Sequence, residues 1–198
     1  MKQILVDSQF DEHNRVLKNK LNLKDSAELT LLAADFASAR LAQSLSKLIP
    51  GDFDIRHLRA THRHIFQDIF PWAGDFREVT TSRTNSFSFP PPQYLIPSLE
   101  TLFAALKAER HLQNLDPDTF AQRAAHYLGE INAIHPFREG NGRAQREFIR
   151  TLALRAGHPL TWAALTPNEN NEASRISFAT GDTTLLTTLI RKRLIPNP

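Results

Sequence analysis

The sequence predicts an all-α fold, a helical bundle broken by one short β-like insertion. Three observations carry this: apolar residues return at threes and fours over most of the chain, Pro71, Pro117 and Gly157 punctuate those periodic stretches, and only Phe76 to Phe89 departs from helical spacing.

From Asp25 to Leu48 the residues Leu29, Leu32, Phe36, Leu41, Leu45 and Leu48 recur at intervals of three, four and once five, with Asp25 or Ser26 as N-cap. This is an amphipathic helix. Asp54 to Phe70 repeats the pattern through Leu58, Ile65 and Ile69, and Pro71 closes it because proline cannot continue a helix. Between Phe76 and Phe89, Thr, Ser and Asn crowd around Arg83, which reads as a short hairpin or loop before the breaker Pro90, Pro91, Pro92. Helical spacing resumes from Tyr94 to Leu112. Asp116 then supplies an N-cap and Pro117 the first helical position of a helix whose stripe is Phe120, Ala124, Tyr127, Leu128, Ile131 and Ile134. That helix leads directly to His135. Another starts near Asn141, uses Phe148, Ile149, Leu152, Ala153 and Ala156, and stops at Gly157 with Pro159 behind it. Two shorter patterns, Glu169 to Phe178 and Thr183 to Leu194, complete the chain. No repeat or linker divides it, so one domain is expected over residues 1–198.

Composition narrows the function classes. A chain of 198 residues buries roughly 70% of its unfolded surface and needs no staples. It contains no cysteine, which excludes disulfides, thiolate zinc sites and thiol catalysis and suits a reducing, cytoplasmic setting. No stretch reaches the ~20 apolar residues that span a bilayer, and the first residues lack a signal-peptide core. The net charge of +3 makes a phosphate-bearing partner plausible without choosing one.

The chemistry concentrates in His135, Pro136, Phe137, Arg138, Glu139, Gly140, Asn141, Gly142, Arg143, Ala144, Gln145, Arg146, between two strongly periodic helices. Gly140 and Gly142 permit positive φ, so backbone amides can converge on an anion at a helix N-terminus. Arg143 and Arg146, three apart, share a similar face and can reach polyphosphate oxygens, although cations there oppose the helix dipole unless an anion is bound. Glu139 beside such a nest makes sense as a Mg²⁺ ligand bridging to phosphate. His135, with a reference pKa near 6.5, is the candidate general base, and Phe137 an apolar peg for the loop.

HPFREGNGRAQR resembles the signature of Fic-domain proteins, His-x-Phe-x-Asp/Glu-Gly-Asn-Gly-Arg-x-x-Arg, at every specified position. KNKLNLKDSAELTLLAADFASARL is similar to the N-terminal helices of bacterial Fic proteins, and HRHIFQDIFPWAGDFREV to the run ahead of their flap. The resemblance implies a Fic core over about 54–157, a β-hairpin flap over about 76–90, and transfer of AMP from ATP to a hydroxyl of a target protein. It implies His135 as base, Glu139 on Mg²⁺, Gly140, Asn141 and Gly142 around the phosphates, Arg143 stabilising them and Arg146 on the γ-phosphate. The flap, about Val79 to Phe89, would register the target by strand pairing. Relatives that transfer phosphate carry lysine where this chain has Gly142, so AMP transfer is expected. The family's inhibitory pattern, Ser/Thr-x-x-x-Glu-Gly/Asn, finds only Ser8 with Glu12, and His13 follows. A toxin-like enzyme restrained by a separate small antitoxin, which supplies a glutamate to Arg146, is therefore expected; its resemblance to stand-alone bacterial Fic toxins, and no residue of its own, implies the ATPase subunits of DNA gyrase and topoisomerase IV as targets.

The alternative is a helical nucleic-acid-binding module without catalysis, suggested by Arg143, Arg146, Arg150 and Arg155 on one helix. It leaves His135 and Glu139 unexplained, and the cluster lacks aromatics for stacking. Metal binding by His57, His62, His64 and His126 is disfavoured because spacings of five and two do not share a helix face, and a solvated or capping role is simpler. Trp72 and Phe76 are best read as packing under the hairpin.

Overall fold

The computed structural model describes residues 7–84 and 87–196. Among them lie seven α-helices and two small antiparallel ladders. A ladder that the periodicity did not announce, β1 (Phe10–Asp11) with β2 (Val16–Leu17), comes first. Helix α1 (Ser26–Ser46) follows, its N-cap Asp25 accepting from the Ala27 and Glu28 amides. Helix α2 (Ile55–Phe66), capped by Asp54, ends earlier than the apolar spacing suggested. Residues 67–75 instead turn repeatedly, because the Phe66 carbonyl accepts from both Ile69 and Phe70 and the chain then reverses at Gly74.

The insertion forms a minimal hairpin, β3 (Ser82–Thr84) with β4 (Phe87–Ser88). Its tip, residues 85–86, lies outside the described residues, as do residues 1–6 and 197–198. Helix α3 (Leu95–Ala108) stops short of Leu112, since Arg110, His111 and Leu112 adopt positive φ of 53°, 54° and 60°. That left-handed turn inserts Leu112, fully buried, into the core.

Helix α4 (Pro117–Ile134) begins as expected at Asp116 and Pro117, and α5 (Asn141–Arg155) follows after a short loop. The remaining helices are α6 (Pro167–Thr180), opened by a Thr166–Glu169 capping box, and α7 (Thr184–Arg191). Helix α5 packs on α2 and α4, while α4 also carries α3, α6 and α7. Ala144, Phe148, Ile149, Leu152 and Ala153 of α5 have 0% exposure. Burying a large apolar side chain of this kind contributes roughly 1.5–3 kcal/mol, so the helix that starts at the motif is anchored along its whole length. One buried cluster runs from Val16 to Ile190. No helix of the described residues is long and apolar enough to cross a membrane.

Candidate active site

The loop joining α4 to α5 carries the motif, and two left-handed residues set its shape. His135 caps α4 with φ 50° and ψ 60°, and its amide still donates to the Ile131 carbonyl. Gly140 caps α5 with φ 79°, and no side chain closes that helix N-terminus. A Cβ on Gly140 would lie 2.3 Å from the Phe66 ring, so glycine is required by both conformation and space. Gly142 is different, and here the expectation of paired positive φ is corrected. It sits in the first turn of α5 and is not among the positive-φ glycines. A Cβ there would meet only Arg146 Nη1, at 3.2 Å. Glycine at 142 therefore keeps open the space in front of a guanidinium.

Asn141 braces the loop from within. Its Oδ1 accepts from the Phe137 amide at 2.9 Å and its Nδ2 donates to the Phe137 carbonyl at 2.7 Å. That side chain is thus committed to the loop, and only its backbone remains for an anion. Phe137 is fully buried, as a peg should be, and stacks on His62 with ring centroids 3.9 Å apart.

His62 corrects the expectation of solvated histidines. It is fully buried; its Nε2 donates to the Glu139 carbonyl at 2.9 Å, and its Nδ1 accepts from the Gly74 amide at 2.9 Å. Burial holds its pKa down to about 3, so it is a neutral strut between the motif loop and the turn after α2. His57 is also buried and bonds the Ile49 carbonyl, and His64 bonds that of Arg40. Among the described residues no group of three or more His, Cys, Asp or Glu is placed to hold a metal.

A cleft of about 560 Å³ opens over the loop, lined by His135, Glu139, Gly140, Asn141, Gly142, Arg143 and Arg146 from the motif and by Trp162, Thr166, Asn170 and Asn171 from the C-terminal side. All the predicted site residues meet there. Glu139, half exposed at its edge, pairs with Arg143 at 3.1 Å. Arg143 also donates to the Ala33 carbonyl of α1 and lies over the Phe66 ring, 4.7 Å from its centroid. Arg146 turns toward α6, where Nη1 donates to Asn170 Oδ1 at 3.2 Å. Burial, and then the neighbouring Arg143, push its pKa down, which marks a cation short of compensating charge. Among the described residues no carboxylate is paired with it.

A second cavity of about 290 Å³ shares His135, Gly142, Arg146, Asn170 and Asn171 with the first and extends between the flap residues Ser82 and Phe89 and the polar Asn132, Gln145 and Ser174. His135 stands between the two. Its imidazole lies flat on the Phe89 ring, 3.8 Å between centroids and 11° between planes, and Phe89 in turn touches Phe178 of α6. Sequence reasoning missed Phe89, His62 and Asn170. Only the position of Phe89, directly before three prolines at a flap stem, offered a signal.

Other readings lose their residues. Arg150 is buried against Glu147 at 2.7 Å and the Ser44 carbonyl, so the arginine stripe proposed for nucleic acid is interrupted. Trp72 stacks on Phe70 and donates to the Lys18 carbonyl, while Phe76 packs on Phe137; both are packing residues, set against the N-terminal segment and the motif loop.

Fold and loop together define a helical protein that brings an uncapped helix N-terminus, a histidine and two arginines to one cleft. The family model described as Fic/DOC matches residues 52–153, and the chain belongs to that family. It is 39% identical over 180 residues to y4lH of Sinorhizobium fredii, covering 90% of this chain and 91% of that one, and 36% identical over 178 residues to the Fic protein of Escherichia coli, covering 89% and 86%. Both are named probable protein adenylyltransferases. It is 38% identical over 188 residues to the protein adenylyltransferase VbhT of Bartonella schoenbuchensis, covering 95% of this chain and 39% of that longer one. Among solved structures, the ADP-bound Fic domain of a cell filamentation protein from Bartonella quintana superimposes with a TM-score of 0.86 at 26% identity, covering 95% of this chain and 94% of that one. The AMPPNP-bound BepC protein of Bartonella tribocorum shares the fold, with a TM-score of 0.86 at 24% identity over 96% and 97%.

Proposed function

We propose that this chain is a protein adenylyltransferase, which moves AMP from ATP to a hydroxyl side chain of a target protein and releases pyrophosphate. The single observation that carries this reading is the convergence of His135, the uncapped N-terminus of α5 and two arginines on one cleft. A triphosphate laid along that N-terminus meets backbone amides and the positive end of the helix dipole. Arg143 and Arg146 add charge-assisted bonds. The second cavity, with its amide and hydroxyl groups, suits a nucleoside continuous with those phosphates.

His135 accepts the proton of the incoming hydroxyl. The hydroxyl oxygen then bonds to the α-phosphorus, the bond from that phosphorus to the bridging oxygen breaks, and pyrophosphate leaves with the electron pair. The Phe89 stack keeps the imidazole in one plane, so the base is aimed before the target arrives. Glu139 fits the one-carboxylate manner in which Mg²⁺ is held beside phosphates. When bound, the ion neutralises charge between phosphate oxygens.

The finer reading extends to regulation and target. Arg146 is partly buried and bonded to a neutral amide, which leaves its charge for a glutamate supplied by a separate small antitoxin. The Ser8 to Glu12 segment forms a turn and strand β1 rather than a helix, and its Ser8 amide donates to Glu78, which supports an inhibitor from outside. The ATPase subunits of DNA gyrase and topoisomerase IV are the first targets to try, and the cysteine-free chain suits cytoplasmic action. Residues 1–198 are taken as one functional domain, on the continuity of the core.

Incubation with a bacterial lysate and ATP labelled at the α-phosphate tests the reaction. Label on a discrete protein is expected; label transferred only from the γ-position would mean phosphoryl transfer instead.

A further inference from the structure

Arg77 lies outside the motif, in the stretch that leads into the flap, and its side chain is almost wholly buried. Its guanidinium faces backbone carbonyls. Nε donates to His135 O at 2.8 Å, Nη1 to Val79 O at 2.9 Å, and Nη2 to Pro90 O at 2.5 Å and Ile134 O at 3.3 Å. The Arg77 amide donates to Pro136 O at 2.9 Å as well.

Those acceptors belong to three separate stretches of the chain. Val79 and Pro90 are the two stems of the flap, joined above by the bond from the Phe89 amide to Thr81 O. Ile134 and His135 are the C-terminal end of α4, where a cation is favoured by the dipole. His135 holds a left-handed backbone conformation, which persists in a non-glycine residue only where its surroundings impose it. A planar fork with several fixed donors can bridge all of these carbonyls at once; an ammonium on a flexible stem cannot. Burial lowers the guanidinium pKa to about 10, so it remains cationic at neutral pH.

We propose that Arg77 is a positioning residue for the transfer reaction: it rivets both flap stems to the His135 backbone, so that a target held by the flap and the imidazole that deprotonates it form one rigid body. This rests on the adenylyltransferase reading for its kinetic consequence but not for its structural one. Phe89 completes the device, because the flap stem pinned by Arg77 at Pro90 is the one whose neighbouring ring lies on the imidazole.

The test uses the full chain and Arg77→Lys, with two readouts. In the first, the ¹H–¹³C signal of the His135 ring is followed by NMR. In the native chain the stacked phenyl ring displaces it upfield, and in the variant it is expected to return toward the position of a free imidazole while the affinity for ATP stays within about twofold. In the second, transfer from α-labelled ATP to lysate protein is expected to fall roughly 100-fold in kcat with KM for ATP unchanged, the scale of a reacting group misplaced by about 1 Å. Added methylguanidinium is expected to restore part of the rate to Arg77→Ala. A lysine variant that does not fold is replaced by Arg77→Gln, judged by the same signals. An unmoved His135 signal with native kcat overturns the proposal, and so does a loss of ATP affinity in proportion to the loss of rate, which would mean general structural damage. If the native chain labels nothing, the reaction reading fails, and the NMR arm still decides the role of Arg77.

Discussion

The imidazole of His135 and the phenyl ring of Phe89 are stacked face to face, 3.8 Å between centroids and 11° from parallel. A histidine proposed as the base for an incoming hydroxyl gains from having its ring plane set in advance, and Phe89, only 4% exposed, also packs against Phe178 at a tilt. A ring pair of this kind is worth about 0.5–1.5 kcal/mol beyond its area. Phe89→Leu should retain the fold, lower kcat by roughly fivefold for the loss of about 1 kcal/mol of orientation, and change nucleotide affinity by less than that factor, since leucine still lines the flap side of the second cavity. Single-turnover transfer alongside ATP titration calorimetry checks this split.

The two motif glycines should respond to alanine in opposite ways. At Gly140, φ of 79° and the Phe66 ring at 2.3 Å leave no place for a methyl group. Overpacking costs about 1–3 kcal/mol and the left-handed backbone about 1–2 kcal/mol more. Gly140→Ala is therefore expected to lower the thermal midpoint by several degrees.

Gly142→Ala should leave the midpoint unchanged or higher, because alanine is favoured over glycine in a helix by about 0.5–1 kcal/mol. Its methyl group would lie 3.2 Å from Arg146 Nη1. The expected loss is in ATP affinity, read by calorimetry. A drop in stability without a drop in affinity would mean that the glycine serves the backbone.

His62 gives a pH dependence of defined sign. Its pKa is held near 3 in the fold, by burial, against 6.5 as the ordinary value. Below about pH 6.5 the unfolded chain takes up a proton that the folded chain refuses, so stability is present at neutral pH and declines as pH falls toward 3, by up to about 1.4 kcal/mol per unit from this group. Urea denaturation between pH 7 and 5 should show a steeper loss in the native chain than in His62→Gln, whose baseline is lower but whose slope is flatter. Equal slopes would contradict the buried neutral strut.

The elements legible in the sequence were those whose signals are local. Asp116 with Pro117 marked the start of α4, Asp25 that of α1, and Gly157 lies just past the end of α5. The twelve-residue motif was legible because its residue types make no sense separately, and the structure brings them to one cleft. What stayed hidden depends on partners far along the chain. The ladder of β1 with β2 has strands of two residues, too short for any alternation to appear. His62 looked like a surface histidine because its partners, Gly74 and Glu139, are twelve and seventy-seven residues away. Arg77 could not be told from a solvated charge, since its acceptors are backbone carbonyls that no sequence pattern announces. The early end of α2 followed from the turn at Phe66 to Phe70, where the apolar spacing persists but the chain reverses.

Native chain and His135→Ala, each incubated with ATP and a bacterial lysate, followed by mass spectrometry of the modified protein and by ATP titration of both chains, probe the site most directly. The expected result is an AMP adduct on a hydroxyl side chain with the native chain, none with His135→Ala, and equal ATP binding by the two. An adduct that persists in His135→Ala, or a phosphate in place of AMP, would contradict a cleft in which that imidazole is the base for AMP transfer.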